Sequence, residues 1–231
     1  FGEAEDSLYV KGSGNNLSTI DEHGFTPLRL KTLRKLAALE NISDAEMIRQ
    51  QQMAKSNPDA ANPSVEALLH AIIPFTWIDH THADAVVTLT NTPEGTELIR
   101  KIYGERLLLI PYVMPGFKLA RKVFEMTKNV DWTQFEGMIL LNHGIFSFGD
   151  SARESYTRMI DLVLLAEEFL ATNSSVANTT VPDSVPGKEE LLKLAGIRRK
   201  VSEIRGSASL AQLNLSSEAR TFAKLTNVKE I

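Results

Sequence analysis

The sequence predicts an α/β protein, a three-layer α/β/α sandwich on a mixed, mainly antiparallel central sheet, carrying a helical appendage. Three observations lead there. Helical and strand periodicities alternate through residues 7–172, too irregularly for a doubly wound parallel fold. "RLLLIPYV" (106–113) reads as a buried strand, and "GMILLNHGIFSFG" (137–149) as two short strands folded at Asn142–Gly144. The Ser/Thr/Pro/Val-rich stretch "NSSVANTTVPDSVPG" (173–187) reads as a linker between a domain at 1–172 and a helical extension at 188–231.

In chain order, "SLYV" (7–10) alternates as a strand and runs into the turn-rich "KGSGNN" (11–16). Residues 26–40 place Leu28, Leu30, Leu33, Leu36 and Leu39 at helical spacing, with Pro27 at the start, which predicts one helix. Ser43 with Glu46 three residues on forms a capping box opening a helix over 43–54. After the Pro/Asn loop "SNPDAANP", a short helix over 64–74 is capped by Ser64 and stopped by Pro74. "FTWID" (75–79) reads as a strand and "ADAVVTLTN" (83–91) as a short helix. Further helices are expected over 93–104, closed by Gly104, over 116–128, and over 151–172. Two more follow at 188–205 and 216–225.

Composition narrows the function. With 231 residues, 43% hydrophobic and 23% charged, the chain can bury a full core. A net charge of −4 offers no basic stripe for nucleic acid and no polybasic membrane patch. No apolar run approaches a membrane span. Without cysteine there is neither a disulfide framework nor a thiolate metal site, so any metal must be held by His, Asp or Glu. Nothing resembles a signal peptide, and a cytoplasmic address is expected. The chain opens "FGEAEDSLYVKGSG", without Met and directly into a strand, so the polypeptide is expected to begin further upstream.

The chemistry concentrates at "FTWIDHTHADAVVTL" (75–89), which spends two of the five histidines one residue apart. Alternate side chains of a strand share a face, so His80 and His82 can pinch one metal ion or simply sit at a strand end. A third histidine, His143, ends an apolar strand just before Gly144, where the backbone can turn sharply. Three histidines on one ion leave coordination positions open for water or substrate. Glu66 lies in the first turn of the 64–74 helix, where a carboxylate complements the helix dipole or serves as acid/base. His70, one turn on, shares its face and reads as a packed or supporting histidine rather than a further ligand. The turn at 11–16, with Lys11, Ser13 and Gly14, is either an anion-binding turn or a plain β-turn.

The order Ser-x-Glu, His-x-His, Asn-His-Gly, spread over residues 7–172, resembles the class II aldolase/adducin family of zinc-dependent sugar-phosphate aldolases. "LYVKGSGNNLSTIDEHGFTPLRL" and "IPYVMPGFKLA" are most similar to a subgroup in which the aldolase domain precedes a short-chain dehydrogenase, the bifunctional rhamnulose-1-phosphate aldolase/dehydrogenase type. The resemblance implies that His80, His82 and His143 bind Zn2+ and that Glu66 binds metal at rest and acts as acid/base. It implies that Ser13, Gly14 and Ser64, with Lys11 beside them, hold a substrate phosphate. It also implies a cyclic homotetramer.

Two departures accompany it. The family's Gly-Asn-Thr/Val-Ser phosphate loop would precede the "LYV" strand, and Tyr112 lies only near the position of a tyrosine that some members use. The tail after residue 188 resembles a connector to the dehydrogenase domain. The implied reaction is reversible cleavage of a ketose 1-phosphate to dihydroxyacetone phosphate and an aldehyde through a metal-stabilised enediolate. A same-fold epimerase, dehydratase or decarboxylase, and an adducin-like interaction module without catalysis, are the alternatives.

Overall fold

The computed structural model describes residues 4–173 and 185–224. Two compact units divide the chain, Phe1–Asn173 and Ser174–Ile231. Most of the linker expected at 173–187 lies outside the described residues.

In the first unit, β1 (Ser7–Lys11) pairs antiparallel with β2 (Phe25–Arg29) as a two-stranded sheet. Helices α1 (Leu30–Ala37), α2 (Asp44–Met53) and α3 (Ala67–Ile72) follow. The second sheet takes β3 (Trp77–Thr81), β4 (Leu107–Ile110), β5 (Gly137–Leu140) and β6 (Gly144–Gly149) in the order β3-β6-β5-β4. Its β3–β6 and β6–β5 pairs are antiparallel and its β5–β4 pair is parallel, so the sheet is mixed and mainly antiparallel. Between β3 and β4 run α4 (Asp84–Thr90) and α5 (Gly95–Tyr103). Helix α6 (Phe117–Thr127) precedes β5, and α7 (Ala152–Asn173) follows β6.

The pleat of the four-stranded sheet sorts its side chains into two cores. Ile110, Met138, Leu140, Phe146 and Phe148 face one way, packing with Leu33, Leu68, Leu69 and Val123 of α1, α3 and α6. Leu107, Ile139 and Ile145 face the other way, against Val86, Ile99, Leu162 and Ala166 of α4, α5 and α7. This is a three-layer α/β/α sandwich. Both central strands, β5 and β6, are buried along their whole length, which is why they read as continuous apolar runs. Strand β4 ends at Ile110 because Pro111 has no N–H for the ladder.

Three local expectations need correction. The helix expected over 26–40 is a strand followed by a shorter helix. Thr26 and Leu28 are fully buried at alternate positions and pair with β1, and Pro27 is tolerated because the other edge of β2 meets only an isolated bridge, Leu28↔Lys55, where the Pro27 carbonyl accepts the Ser56 N–H (3.1 Å). Helix 64–74 contracts to α3, and Ser64 does not cap it. The Ser64 hydroxyl instead accepts the Glu66 N–H (3.2 Å), leaving Glu66 at the N-cap position. The strand expected at 75–79 lies at 77–81, because its partner β6 sets the register from Trp77↔Gly149 to Thr81↔Ile145. That slip puts His80 inside the strand and His82 just beyond it.

The second unit holds α8 (Lys188–Arg205), closed by Gly206 in the left-handed region (φ 66°), and α9 (Ser217–Lys224). Ser216 caps α9, its hydroxyl accepting the Ala219 N–H at 3.2 Å.

Candidate metal centre

Four side chains from three separated segments converge at one end of the four-stranded sheet. Glu66 arrives from the start of α3, His80 from β3, His82 from the residue after it, and His143 from the β5–β6 turn. One ligand atom from each lies within 4.8 Å of all the others, the metal-capable group found among the described residues. Glu66 Oε1 is 2.6 Å from His143 Nε2 and 4.0 Å from His82 Nε2, and Glu66 Oε2 is 3.3 Å from His80 Nε2. The Nε2 atoms of His80 and His82 are 3.1 Å apart. Ligands around a tetrahedral zinc with bonds of ~2.0–2.1 Å lie ~3.3 Å apart, so the measured separations bracket that spacing. Imidazole and carboxylate donors in this number suit a divalent cation of the zinc type.

Backbone and packing fix the rings. His80 Nδ1 is 2.9 Å from the Ile145 carbonyl, an acceptor only, so Nδ1–H donates and Nε2 is left facing the cluster. Cross-strand pairing sets His80 opposite Phe146, and the two rings stack with centroids 4.0 Å apart. His143 Nδ1 is buried without a hydrogen-bond partner, so no neighbour dictates its tautomer and Nε2 can donate to Glu66 or bind a cation. The His143 and His80 side chains are only 6% and 10% exposed, whereas His82 is 59% exposed. Solvent therefore reaches the cluster past His82.

Burial pushes the Glu66 carboxyl up, but hydrogen bonds from His143 and His80, with the charges of those rings, outweigh it and hold Glu66 well below the usual carboxylate range. Burial, reinforced by neighbouring His80, lowers His82. His70 does not join the four. Its ring meets Phe146 edge-on with centroids 5.4 Å apart, and burial pushes it down to about 4.

For His70 the unfolded chain, at the ordinary 6.5, binds more protons than the folded one between pH 6.5 and about 4. Stability is then full above pH 6.5 and falls on acidification across that window, by about 3 kcal/mol for one such group. His70→Gln should flatten this part of the pH–stability profile in chelator-treated protein. An unchanged profile would show that His70 is not buried neutral.

The turn at 11–14 is folded against the loop that leads to Ser64. Gly12 bridges to Pro63, and the Ser13 N–H donates to the Asn62 carbonyl (2.7 Å). The Gly12 N–H donates to Gly24 O (2.8 Å), so two of the turn's amides already have protein acceptors. Lys11 Nζ donates to the carbonyls of Asn15 (2.8 Å) and Gly12 (3.3 Å). Gly14 has φ 86°, a conformation that favours glycine. Sequence reasoning passed over Phe146 and the Ile145 carbonyl. Each supports His80 through the β3–β6 register, which an apolar run alone does not reveal.

A family model described as Class II Aldolase and Adducin N-terminal domain matches residues 2–170. A Bacillus subtilis (strain 168) protein described as an uncharacterized oxidoreductase, YuxG, is 31% identical over 163 residues, covering 71% of this chain but 23% of that protein. The chain thus spans about a quarter of that relative's length. The N-terminal class II aldolase domain of a conserved protein from Thermoplasma acidophilum matches with a TM-score of 0.65 and 38% identity, over 71% of this chain and 75% of that one. An aldolase II superfamily protein from Pseudomonas syringae, at 14% identity and TM-score 0.52 over 89% and 79% of the two chains, is a likeness of fold alone. The match over residues 2–170 covers every strand of the sandwich and all four converging residues, and the chain belongs to the class II aldolase and adducin family.

Proposed function

We propose that this chain is a metal-dependent class II aldolase that reversibly cleaves a ketose 1-phosphate to dihydroxyacetone phosphate and an aldehyde. The observation that carries the reading is the convergence of the Glu66 carboxylate with three imidazole Nε2 atoms beside an opening to solvent. His80, His82 and His143 would hold the ion, Zn2+ by the donor set. When bound it supplies Lewis-acid polarisation of the carbonyl and hydroxyl oxygens.

Glu66 is the acid/base. In cleavage the C4 hydroxyl gives its proton to water at the mouth of the site past His82, and the C3–C4 bond breaks, leaving its electron pair on C3. Glu66 then delivers a proton to C3, and in synthesis it removes that proton. Ser13, Gly14 and Ser64 would take the phosphate, with Lys11 close by, anchoring the dihydroxyacetone-phosphate half against the cluster. His70 supports the cluster from behind Phe146.

A homotetramer working in the cytoplasm belongs to the same proposal, and light scattering should show an oligomer at micromolar concentration. The description of the Bacillus relative as an oxidoreductase agrees with an aldolase domain that sits in a longer chain with a dehydrogenase. The test combines metal analysis with a screen of ketose 1-phosphates for aldehyde release. Stoichiometric zinc and cleavage of at least one substrate are expected. Metal without release, or epimerisation in its place, would overturn the aldolase assignment.

Gly144 offers a second check. A Cβ built there would lie 2.6 Å from the Thr81 carbonyl oxygen, 2.9 Å from His82 Cδ2 and 3.1 Å from His80 Cε1. The first clash is with backbone, so β6 must shift and carry the His80 support with it. Gly144→Ala should cost roughly 1–3 kcal/mol of stability and at least ~10-fold in zinc affinity. Thermal melts and chelator competition measure the two. Parent-like values would mean that the close approach at Gly144 is not needed.

A further inference from the structure

Resting on the reading of Glu66, His80, His82 and His143 as a metal centre, we propose that Asn142 is its positioning residue. Its left-handed backbone aims His143 at Glu66, and its amide ties that turn to the helix leading away from His82. Among the described residues Asn142 alone combines a side chain with positive φ, at 57°. Asn tolerates this region far better than residues with bulkier side chains, and no glycine is spent here.

The turn is held on its flanks, by Leu141 N–H to Ile110 O (3.0 Å) and His143 N–H to Leu140 O (3.2 Å). Asn142 Nδ2 then donates across to Asn91 Oδ1 at 2.8 Å. Asn91 closes α4, the helix that opens two residues after His82 and is pinned through Val86 and Leu89 to the core containing Ile139 and Ile145. One side-chain hydrogen bond thus links the segments presenting His143 and His82, two ligands that meet only in the folded chain. Both amides lie near the surface, so the bond is of modest strength and its role is geometric.

The experiment uses zinc affinity by chelator competition, the visible spectrum of the Co2+-loaded chain, and the His143 imidazole NMR signals of metal-free protein. Asn91→Ala and Asn142→Gly each remove the tie, and Asn142→Gly keeps the left-handed turn accessible. Each should lower zinc affinity by roughly three- to tenfold and shift the Co2+ bands. The double variant should fall no further than either single one. Asn91→Asp keeps the acceptor and should restore parent values.

In metal-free protein, Asn91→Ala should move the His143 signals but not those of His23, and Asn91→Asp should leave both in place. Unmoved His143 signals in Asn91→Ala and Asn142→Gly, additive losses in the double variant, or no rescue by Asn91→Asp would overturn the proposal. If the parent takes up no zinc while the His143 signals still respond as described, the metal reading fails and the positioning role stands.

Discussion

Glu66→Gln is expected to lower proton exchange at the donor carbon of dihydroxyacetone phosphate by at least ~10²-fold while the fold survives. The side chain makes no cap bond to α3, so helix initiation does not depend on its charge. Gln matches the shape, and its carbonyl oxygen can keep the 2.6 Å contact to His143 while its NH2 group takes the position 3.3 Å from His80 Nε2. What it loses is a group that can take and return a proton. The same two rings hold the Glu66 carboxyl well below the usual carboxylate range, so it is ionised at neutral pH. Deuterium incorporation from D2O, followed by NMR, reads the effect, and far-UV circular dichroism with a thermal melt reads the fold. Exchange at the parent rate would remove Glu66 from the mechanism and leave it a structural or resting ligand.

The parts of this fold legible in the sequence were those in which local pattern and tertiary role agree. Residues 137–149 read as two strands because both faces of β5 and β6 are buried, and the turn between them carries Asn142 and Gly144, which suit reversal. Residues 26–29 misled because Leu28 also belongs to a helical series continuing through Leu30 and Leu33. Pairing with β1, a contact between distant segments, outweighs that periodicity and is invisible locally.

The three histidines could be named from the residues around them. Their meeting with Glu66 could not be derived from spacing, since it depends on α3 and the β5–β6 turn reaching one end of the sheet. The resemblance supplied that link. The turn at 11–14 shows the reverse case. Its Gly-x-Gly pattern advertises free amides, yet the amides of Gly12 and Ser13 are spent on Gly24 and Asn62, folding the turn beside Ser64.

His143→Ala should abolish stoichiometric metal, and His82→Ala should do the same. A structural zinc site is worth about 10–16 kcal/mol in all, so one of four ligands represents roughly 3–4 kcal/mol, or ~10²–10³-fold in affinity. The loss should be heavier at His143. Its side chain is 6% exposed and makes the shortest contact to Glu66, so deletion leaves a buried carboxylate short of its partner as well as an empty position. His82, 59% exposed, can be replaced by water at the mouth of the site, which places it at the lower end of the range. His143→Gln, which keeps much of the volume and a polar tip, separates metal loss from collapse of the turn. It should melt near the parent in chelator while binding no zinc. Metal analysis after dialysis against a chelator of moderate affinity decides the matter. Parent-like zinc in both alanine variants would mean that the convergence of these rings serves packing and that the ion, if one is used, is held elsewhere.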